Sequence, residues 1–206
     1  MNGTKSGSER LKGAIRRNAI KWFIIALLIL LCGVALLIVG ISASGDEDGV
    51  APLVMGGFFG LAGLIVVLMN LKNMISPEKG KFAKRNPRIF EMADEHYADI
   101  KYQDKIVTIS DKYISCTKQP WTLCKLEDVY QVYYKVTRYM IIITLEKMLM
   151  FRCGPMDFGV NVLGKSQKKI DACISNVSRS CPNARFGFTK ENNSYADQMK
   201  AQWKAD

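Results

Sequence analysis

The chain has 206 residues, 49% of them hydrophobic, and a formal net charge of +10 with a single histidine. Lysine and arginine are concentrated beside two apolar runs, so the basic balance predicts membrane topology and gives little support to nucleic-acid binding. Six cysteines without a C-x-x-C pair give no pattern for zinc or redox chemistry, and no nucleotide-binding glycine motif occurs. We therefore expect a non-catalytic protein with no metal and no cofactor.

The two apolar runs predict two membrane-spanning helices. Residues 23–41 and 50–69 contain no charged side chain, and as helices they span roughly 28–30 Å, the thickness of the bilayer core. Because backbone amides in lipid must bond within their own segment, we expect a transmembrane hairpin over 22–71. The expected helices lie at about 22–41 and 50–71, joined by the acidic outside loop 42–49. A cleaved signal peptide is the alternative for the first run, although that run exceeds the roughly 7–15 residues of a signal core.

The charges beside these helices predict that both termini are cytoplasmic. The N-terminal segment 1–21 has six bases against one acid, as has the connector 72–88, whereas the loop 42–49 has three acids and no base. Lysine and arginine near membrane ends stay on the cytoplasmic side. The expected protein is therefore a multi-pass protein of a bacterial cell membrane in which residues 89–206 form a cytosolic domain.

The bases nearest to the apolar runs are also candidates for contact with anionic lipid headgroups, which is worth roughly 1 kcal/mol per base near the surface. Retention of these segments on the cytoplasmic side explains the same bases equally well. The membrane-surface bases are Arg16, Arg17, Lys21, Lys72, Lys79, Lys81, Lys84, Arg85 and Arg88.

Small residues at helical spacing predict close helix packing, within the hairpin or between copies of the chain. A merely compositional excess of glycine is the alternative. The packing candidates are Ala26, Gly33, Gly40, Gly56, Gly60 and Gly63. Neither run contains an ionisable side chain, and transporters usually need such groups at membrane depth. A small oligomeric channel or a transport accessory subunit is therefore kept only as the alternative function.

Residues 89–206 predict an α+β domain, because period-two alternation is followed by helical spacing. A short helix is expected around 88–97, a core helix over 165–179 and a final amphipathic helix carrying Tyr195, Met199 and Trp203. The expected strands begin at Ala98–Tyr102 and continue at 106–110, 113–117, 121–126, 129–137, 140–145 and 148–153, with a short one at 185–189. The last two long strands are expected to form a hairpin across Glu146-Lys147.

Three groups of side chains in this domain are considered as candidate functional residues. His96, the only histidine, is interpreted as an exposed, solvated side chain rather than a ligand or base. The cysteines are expected to be reduced and buried as small apolar groups. Interleaved aromatic and basic residues suggest a contact surface for an anionic partner or for headgroups, with an ordinary sheet bearing solvated bases as the alternative. The candidate contact residues are Tyr130, Tyr134, Lys135 and Arg138.

Local motifs add a family resemblance. Two segments that follow the predicted membrane helices resemble strand–turn–strand segments of bacterial pleckstrin-homology-like (PH-like) membrane proteins. They are Ile109-Ser110-Asp111-Lys112-Tyr113-Ile114 and Lys125-Leu126-Glu127-Asp128-Val129-Tyr130. The C-terminal part resembles the tail of a Firmicutes protein family with the same layout. The residues that carry this resemblance are Pro182-Asn183-Ala184 and Gly187-Phe188-Thr189-Lys190-Glu191-Asn192. The resemblance implies a PH-like antiparallel sheet or small barrel with C-terminal helices. It further implies a binding or assembly module that meets a protein partner or the membrane surface, with homo-oligomers possible.

Overall fold

The computed structural model describes residues 6–43, 49–139 and 143–205. The chain divides into two compact units, one formed by Lys12–Lys84 and the other by Arg85–Asp206 together with Met1–Leu11. The boundary before Arg85 lies four residues ahead of the domain start expected at residue 89. The acidic residues 46–48, expected in the outside loop, lie outside the described residues.

Two long apolar helices dominate the first unit. Helix α1 covers Gly7–Ser42 and helix α2 covers Val50–Ile75, and both are long and apolar enough to cross a membrane. Only 17% of the apolar window of α1 and 11% of that of α2 is buried, so neither resembles the core helix of a soluble protein. These helices support membrane association by length and composition.

The basic N-terminal segment expected over 1–21 is helical from Gly7 onwards, where it forms the first turns of α1. The helix begins at Gly7 because strong helix formers follow, including Leu11 and several lysines and arginines. The Ser6 hydroxyl accepts a hydrogen bond from the Glu9 backbone N–H at 3.3 Å, which satisfies one unpaired donor of the first turn.

The predicted small residues lie where α1 and α2 approach each other. A Cβ atom added at Gly33 would lie 2.4 Å from the backbone nitrogen of Gly60, and one added at Gly56 would lie 2.7 Å from that of Leu37. Gly40 and Gly63 are similarly crowded, and Ala26 is buried. A Cβ added at Gly60 itself meets nothing within 4 Å. The glycine faces therefore meet within one chain, and where Gly33 approaches Gly60 the crowded position is Gly33.

The connector after α2 forms two short helical elements. Pro77–Lys79 form a 3₁₀ turn and helix α3 covers Lys81–Arg85. The buried Asn73 side chain accepts a hydrogen bond from the Lys81 backbone N–H through Oδ1 at 3.3 Å. Its Oδ1 lies so close to Gly80 that a Cβ atom there would have to displace the Asn73 side chain.

The second unit is an α+β domain of eight strands and three helices in its described residues. Its elements are α4 Ile89–Ala98, β1 Ile100–Gln103, β2 Val107–Ser110, β3 Tyr113–Cys116, β4 Gln119–Lys125, β5 Val129–Tyr139, β6 Ile143–Cys153, β7 Phe158–Asn161, α5 Gln167–Ser180, β8 Arg185–Phe186 and α6 Lys190–Ala205. The expected order of strands before C-terminal helices is confirmed, and β7 is an addition that the sequence patterns missed.

The strands form two sheets. One is an antiparallel meander in the order β1-β2-β3-β4, and the other has the order β7-β6-β5-β8, in which only the short β8 runs parallel to its neighbour. Helix α4 packs against the first sheet and α6 lies against β5. The core combines side chains from both sheets with the inner face of α5, which is formed by Ile170, Cys173 and Val177. Within the second sheet, the rings of Phe151 and Phe158 stack.

The hairpin expected across Glu146-Lys147 is wrong. Strand β6 is continuous, and both residues pair with β5, Glu146 opposite Thr137 and Lys147 opposite Val136. A Glu-Lys dipeptide lacks the preference for positive φ that a two-residue turn requires, so it continues the strand. The connection between β5 and β6 is residues 140–142, which lie outside the described residues.

Candidate functional site

A cleft of about 1010 Å³ opens in the α+β domain. Its walls come from the segment before α4, the β2–β3 turn, the 3₁₀ turn at Leu126–Asp128, the chain after β6 and the end of α5. Together with Trp203 of α6, six separate segments thus form one concavity, which their sequence spacing does not predict.

Part of the cleft lining is apolar. Leu126, Pro155 and Pro182 line the cleft together with Trp203 from α6. The indole ring packs directly on Gly154, where an added Cβ atom would lie 2.7 Å from two ring atoms. Glycine at this position is therefore what lets α6 bring the tryptophan to the cleft. The Tyr195, Met199 and Trp203 spacing predicted the helix but not this contact.

The rim of the cleft carries charges of both signs. Glu95 accepts a hydrogen bond from the Tyr113 hydroxyl at 3.0 Å and forms an ion pair with Lys112 at 3.3 Å. The Tyr113 hydrogen bond, followed by Lys112, lowers the pKa of Glu95. On the opposite strand end, Lys125 and Glu127 are 3.0 Å apart, and the hydrogen bond to Glu127 raises the pKa of Lys125.

Asp128 differs from the other acids of the rim. Burial raises its pKa, against the opposing effect of Lys125. The neighbouring Tyr130 is 3% exposed, and burial followed by the charge of Asp128 raises the pKa of its hydroxyl to about 12. The cleft thus combines a fixed negative charge at Glu95 with a more readily protonated carboxyl at Asp128.

His96 is buried, which corrects the interpretation of an exposed side chain. Its Nδ1 lies 2.9 Å from the Ser110 hydroxyl and its Nε2 lies 3.1 Å from the Ser115 hydroxyl, and the ring is 0% exposed. Burial lowers its pKa to about 4. The acidic neighbours in sequence suggested exposure, but α4 turns this one side chain inward against the first sheet. A fully enclosed neutral imidazole cannot reach a substrate.

The cysteines after α2 are buried, as expected, and free. Burial raises the pKa of the Cys173 and Cys181 thiols to about 12, which keeps them protonated and unreactive. The Cys124 and Cys153 sulfurs lie 3.4 Å apart as packed thiols. Cys32, in α1, is exposed.

The predicted surface bases are all exposed, and two of them, Arg85 and Arg88, also line the cleft. Arg16 donates a hydrogen bond from Nε to the Met74 carbonyl oxygen at 3.1 Å, linking α1 to the last turn of α2. Tyr130 is buried, so it does not belong to the candidate contact surface.

The remaining candidate contact residues lie on the outer part of β5. Tyr134, Lys135 and Arg138 are exposed there, beyond the point where β5 leaves the core. They are not part of the cleft. The structure therefore separates two surfaces, the cleft and the outer β5–β6 hairpin, that the sequence did not distinguish.

Within the described ranges, no three histidine, cysteine, aspartate or glutamate side chains come together in a group able to hold a metal ion. Comparison of the chain with protein-family models, with curated proteins and with solved structures finds no match.

Proposed function

We propose that this chain is a non-catalytic docking protein of a bacterial cell membrane, in which two spanning helices anchor a PH-like domain whose cleft binds a segment of a protein partner. The cleft of about 1010 Å³ is the observation that carries the proposal. Antiparallel strands followed by helices that pack on the sheets support the PH-like assignment, because this is the element order of the resemblance.

The composition of the cleft favours a protein segment over a small molecule. Small-molecule pockets occupy roughly 300–1,000 Å³ and enclose most of their ligand. This cleft is at the upper end of that range and is open along one side, and its lining includes Trp203. Tryptophan is enriched at the anchoring positions of protein interfaces, and apolar side chains beside charged ones are common there. The paired charges of the rim suit a partner segment that carries both signs.

The anchor is supported by α1 and α2, and the orientation by the charges beside them. Residues 1–21 and 72–88 each carry a net charge of +5, six bases against one acid. The positive-inside rule then directs both flanks, and with them the α+β domain, to the cytoplasm. The alternative of an oligomeric channel loses its main argument, because the crowded glycines of α1 and α2 face each other within one chain.

The orientation predicts opposite thiol accessibility for the loop and the C-terminal helix. In a Cys32→Ser background, Ser44→Cys should react with a membrane-impermeant maleimide on intact cells, whereas Gln202→Cys should react only after the cells are permeabilised. The exposed Gln202 position serves as the control for labelling efficiency. Labelling of Gln202→Cys alone on intact cells would invert the proposed topology.

Docking in the cleft predicts site-selective crosslinking in native membranes. A photoreactive amino acid at Lys112, in the β2–β3 turn on the rim, should give one dominant adduct with a protein segment. The same residue at Lys118, in the β3–β4 turn of the same sheet, should not, because Lys118 is exposed outside the cleft. Adducts are identified by mass spectrometry from the full-length chain.

A blocking variant separates the cleft from chance proximity. Ser180→Arg places a large side chain in the cleft, whereas Ser178→Arg adds the same charge to an exposed position of the same helix. The Lys112 adduct should disappear with the first and persist with the second. Equal adducts in both variants, or equal adducts at Lys112 and Lys118, would rule out the cleft as the docking site.

A further inference from the structure

The outer part of the β5–β6 hairpin leaves the sheet as a two-stranded ribbon, defined here as residues 134–139 and 143–147. Strand β7 pairs with β6 only between Met148 and Phe151, and β8 pairs with β5 only at Gln131 and Val132. The two ribbon strands continue to pair with each other as far as Tyr139 opposite Ile143. Apart from a hydrogen bond from the Val162 backbone N–H to the Lys147 carbonyl oxygen at 2.8 Å, neither ribbon strand has a second sheet neighbour among the described residues.

The ribbon exposes apolar side chains on a face that would normally be covered. Side chains alternate along a strand, so Tyr134 and Val136 continue the face that Val132 presents to the core. Val132 is 1% exposed, whereas Tyr134 and Val136 are each 36% exposed. Leu145, in β6 beside the register shift between Thr137 and Arg138, is 56% exposed. An isolated two-stranded ribbon is only marginally stable in water, so such a face favours a covering surface.

The charges of the ribbon indicate what that surface is. Alternation and register place Arg138 and Lys147 on the face of Tyr134 and Val136, whereas Lys135 and Glu146 lie on the opposite face. The apolar face of the ribbon therefore carries two bases and no acid, a net charge of +2. Bases interleaved with tyrosine and aliphatic side chains match the anionic headgroups and the apolar layer beneath them at a bilayer surface. We propose that the ribbon docks on the anionic surface of the bilayer, inserting Leu145 and Val136 among the headgroups. This inference rests on the proposed membrane anchor, which keeps the domain near a bilayer, and is independent of the cleft.

Depth-dependent fluorescence quenching of the full-length chain tests this inference. The chain is reconstituted in vesicles of phosphatidylcholine and phosphatidylglycerol, with an environment-sensitive fluorophore on Leu145→Cys in a Cys32→Ser background. Lipids carrying a quencher near the headgroup should remove most of the fluorescence. The same fluorophore on Ser178→Cys, an exposed position of α5, should keep its intensity.

Charge reversal provides the matched control. Arg138→Glu with Lys147→Glu reverses the two bases on the apolar face. It should shift the ribbon towards the undocked state by roughly 30-fold or more, which is the effect of two surface bases, and restore the fluorescence. Lys168→Glu with Lys169→Glu makes the same change in net charge on the exposed side of α5 and should leave the quenching unchanged.

The remaining outcomes overturn the inference in distinguishable ways. If the chain resists alkaline extraction but Leu145→Cys is not quenched, the ribbon does not dock, although the anchor stands. If the fluorophore is shielded from water, unquenched by lipid and crosslinks between copies, the ribbon is covered by a second chain instead. If alkali extracts the chain, the anchor and the inference fail together.

Discussion

Replacing Gly33 with leucine is expected to force α1 and α2 apart. A Cβ atom at this position would lie 2.4 Å from the backbone nitrogen of Gly60 and 2.8 Å from its Cα atom, neither of which can move like the end of a flexible side chain. Overpacking of this kind costs roughly 1–3 kcal/mol, and helices in lipid have little beyond close packing to replace it. The helices should separate from a glycine-mediated approach towards the usual 8–10 Å interaxial distance for larger side chains.

The separation is measurable as a distance between spin labels. Labels on Leu28→Cys and Ile65→Cys, both exposed residues, report on α1 and α2 in a Cys32→Ser background. Gly33→Leu should lengthen and broaden the distance distribution by about 2 Å or more. Gly57→Leu adds the same side chain where a Cβ atom meets nothing within 4 Å, so it should leave the distribution unchanged. Identical distributions for the two variants would show that the glycine face is only compositional.

The periodicity of apolar residues predicted most helices and strands of this chain but did not predict the cleft. The two apolar runs and the α5 face at Ile170, Cys173 and Val177 are local patterns, so both helices and the core helix followed from them. The position of the β5–β6 connection could not be predicted in this way. Strand β6 continues through Glu146 and Lys147, which lie in the exposed outer part of the β5–β6 hairpin. Charged residues there resemble a turn although they continue a strand.

The cleft depends on contacts between distant segments, which no local pattern encodes. Gly154 follows the long β6 strand and meets Trp203, which lies almost fifty residues later in α6. From the sequence, Gly154 predicted only the end of a strand, and Trp203 predicted only one face of a helix. The same holds for glycines in lipid, where spacing identified a small-residue face but not that Gly33 rather than Gly60 is the crowded position.

His96 should titrate far below the range of an ordinary histidine. Its ring is 0% exposed between the Ser110 and Ser115 hydroxyls, and burial lowers its pKa from 6.5 to about 4. Because His96 is the only histidine, a labelled sample of the full-length chain in micelles has a single imidazole signal to follow by NMR. That signal should keep its neutral chemical shift at pH 5.5. A midpoint near 6.5 in the folded chain would contradict the buried environment.

The same shift predicts that acid destabilises the α+β domain. Between pH 6.5 and about 4 the unfolded chain binds a proton at His96 that the folded chain does not. The free energy of unfolding must therefore fall as the pH is lowered through this window, by up to about 3 kcal/mol at its lower end. Urea unfolding in detergent, followed by tryptophan fluorescence in a Trp22→Phe background, reports on this domain because Trp121 and Trp203 both lie in it.

A His96→Gln variant isolates this contribution from the other titrating groups. Glutamine retains hydrogen-bonding groups that can face the two serines but takes up no proton, so the variant should lose less free energy of unfolding than the parent chain between pH 6.5 and 4.5. The comparison uses the slope with pH rather than the absolute stability, since the substitution also alters packing. Parallel slopes for parent and variant would mean that His96 binds its proton equally well in the folded and unfolded chains. In that case the buried serine–histidine–serine contact would make no pH-dependent contribution to the fold.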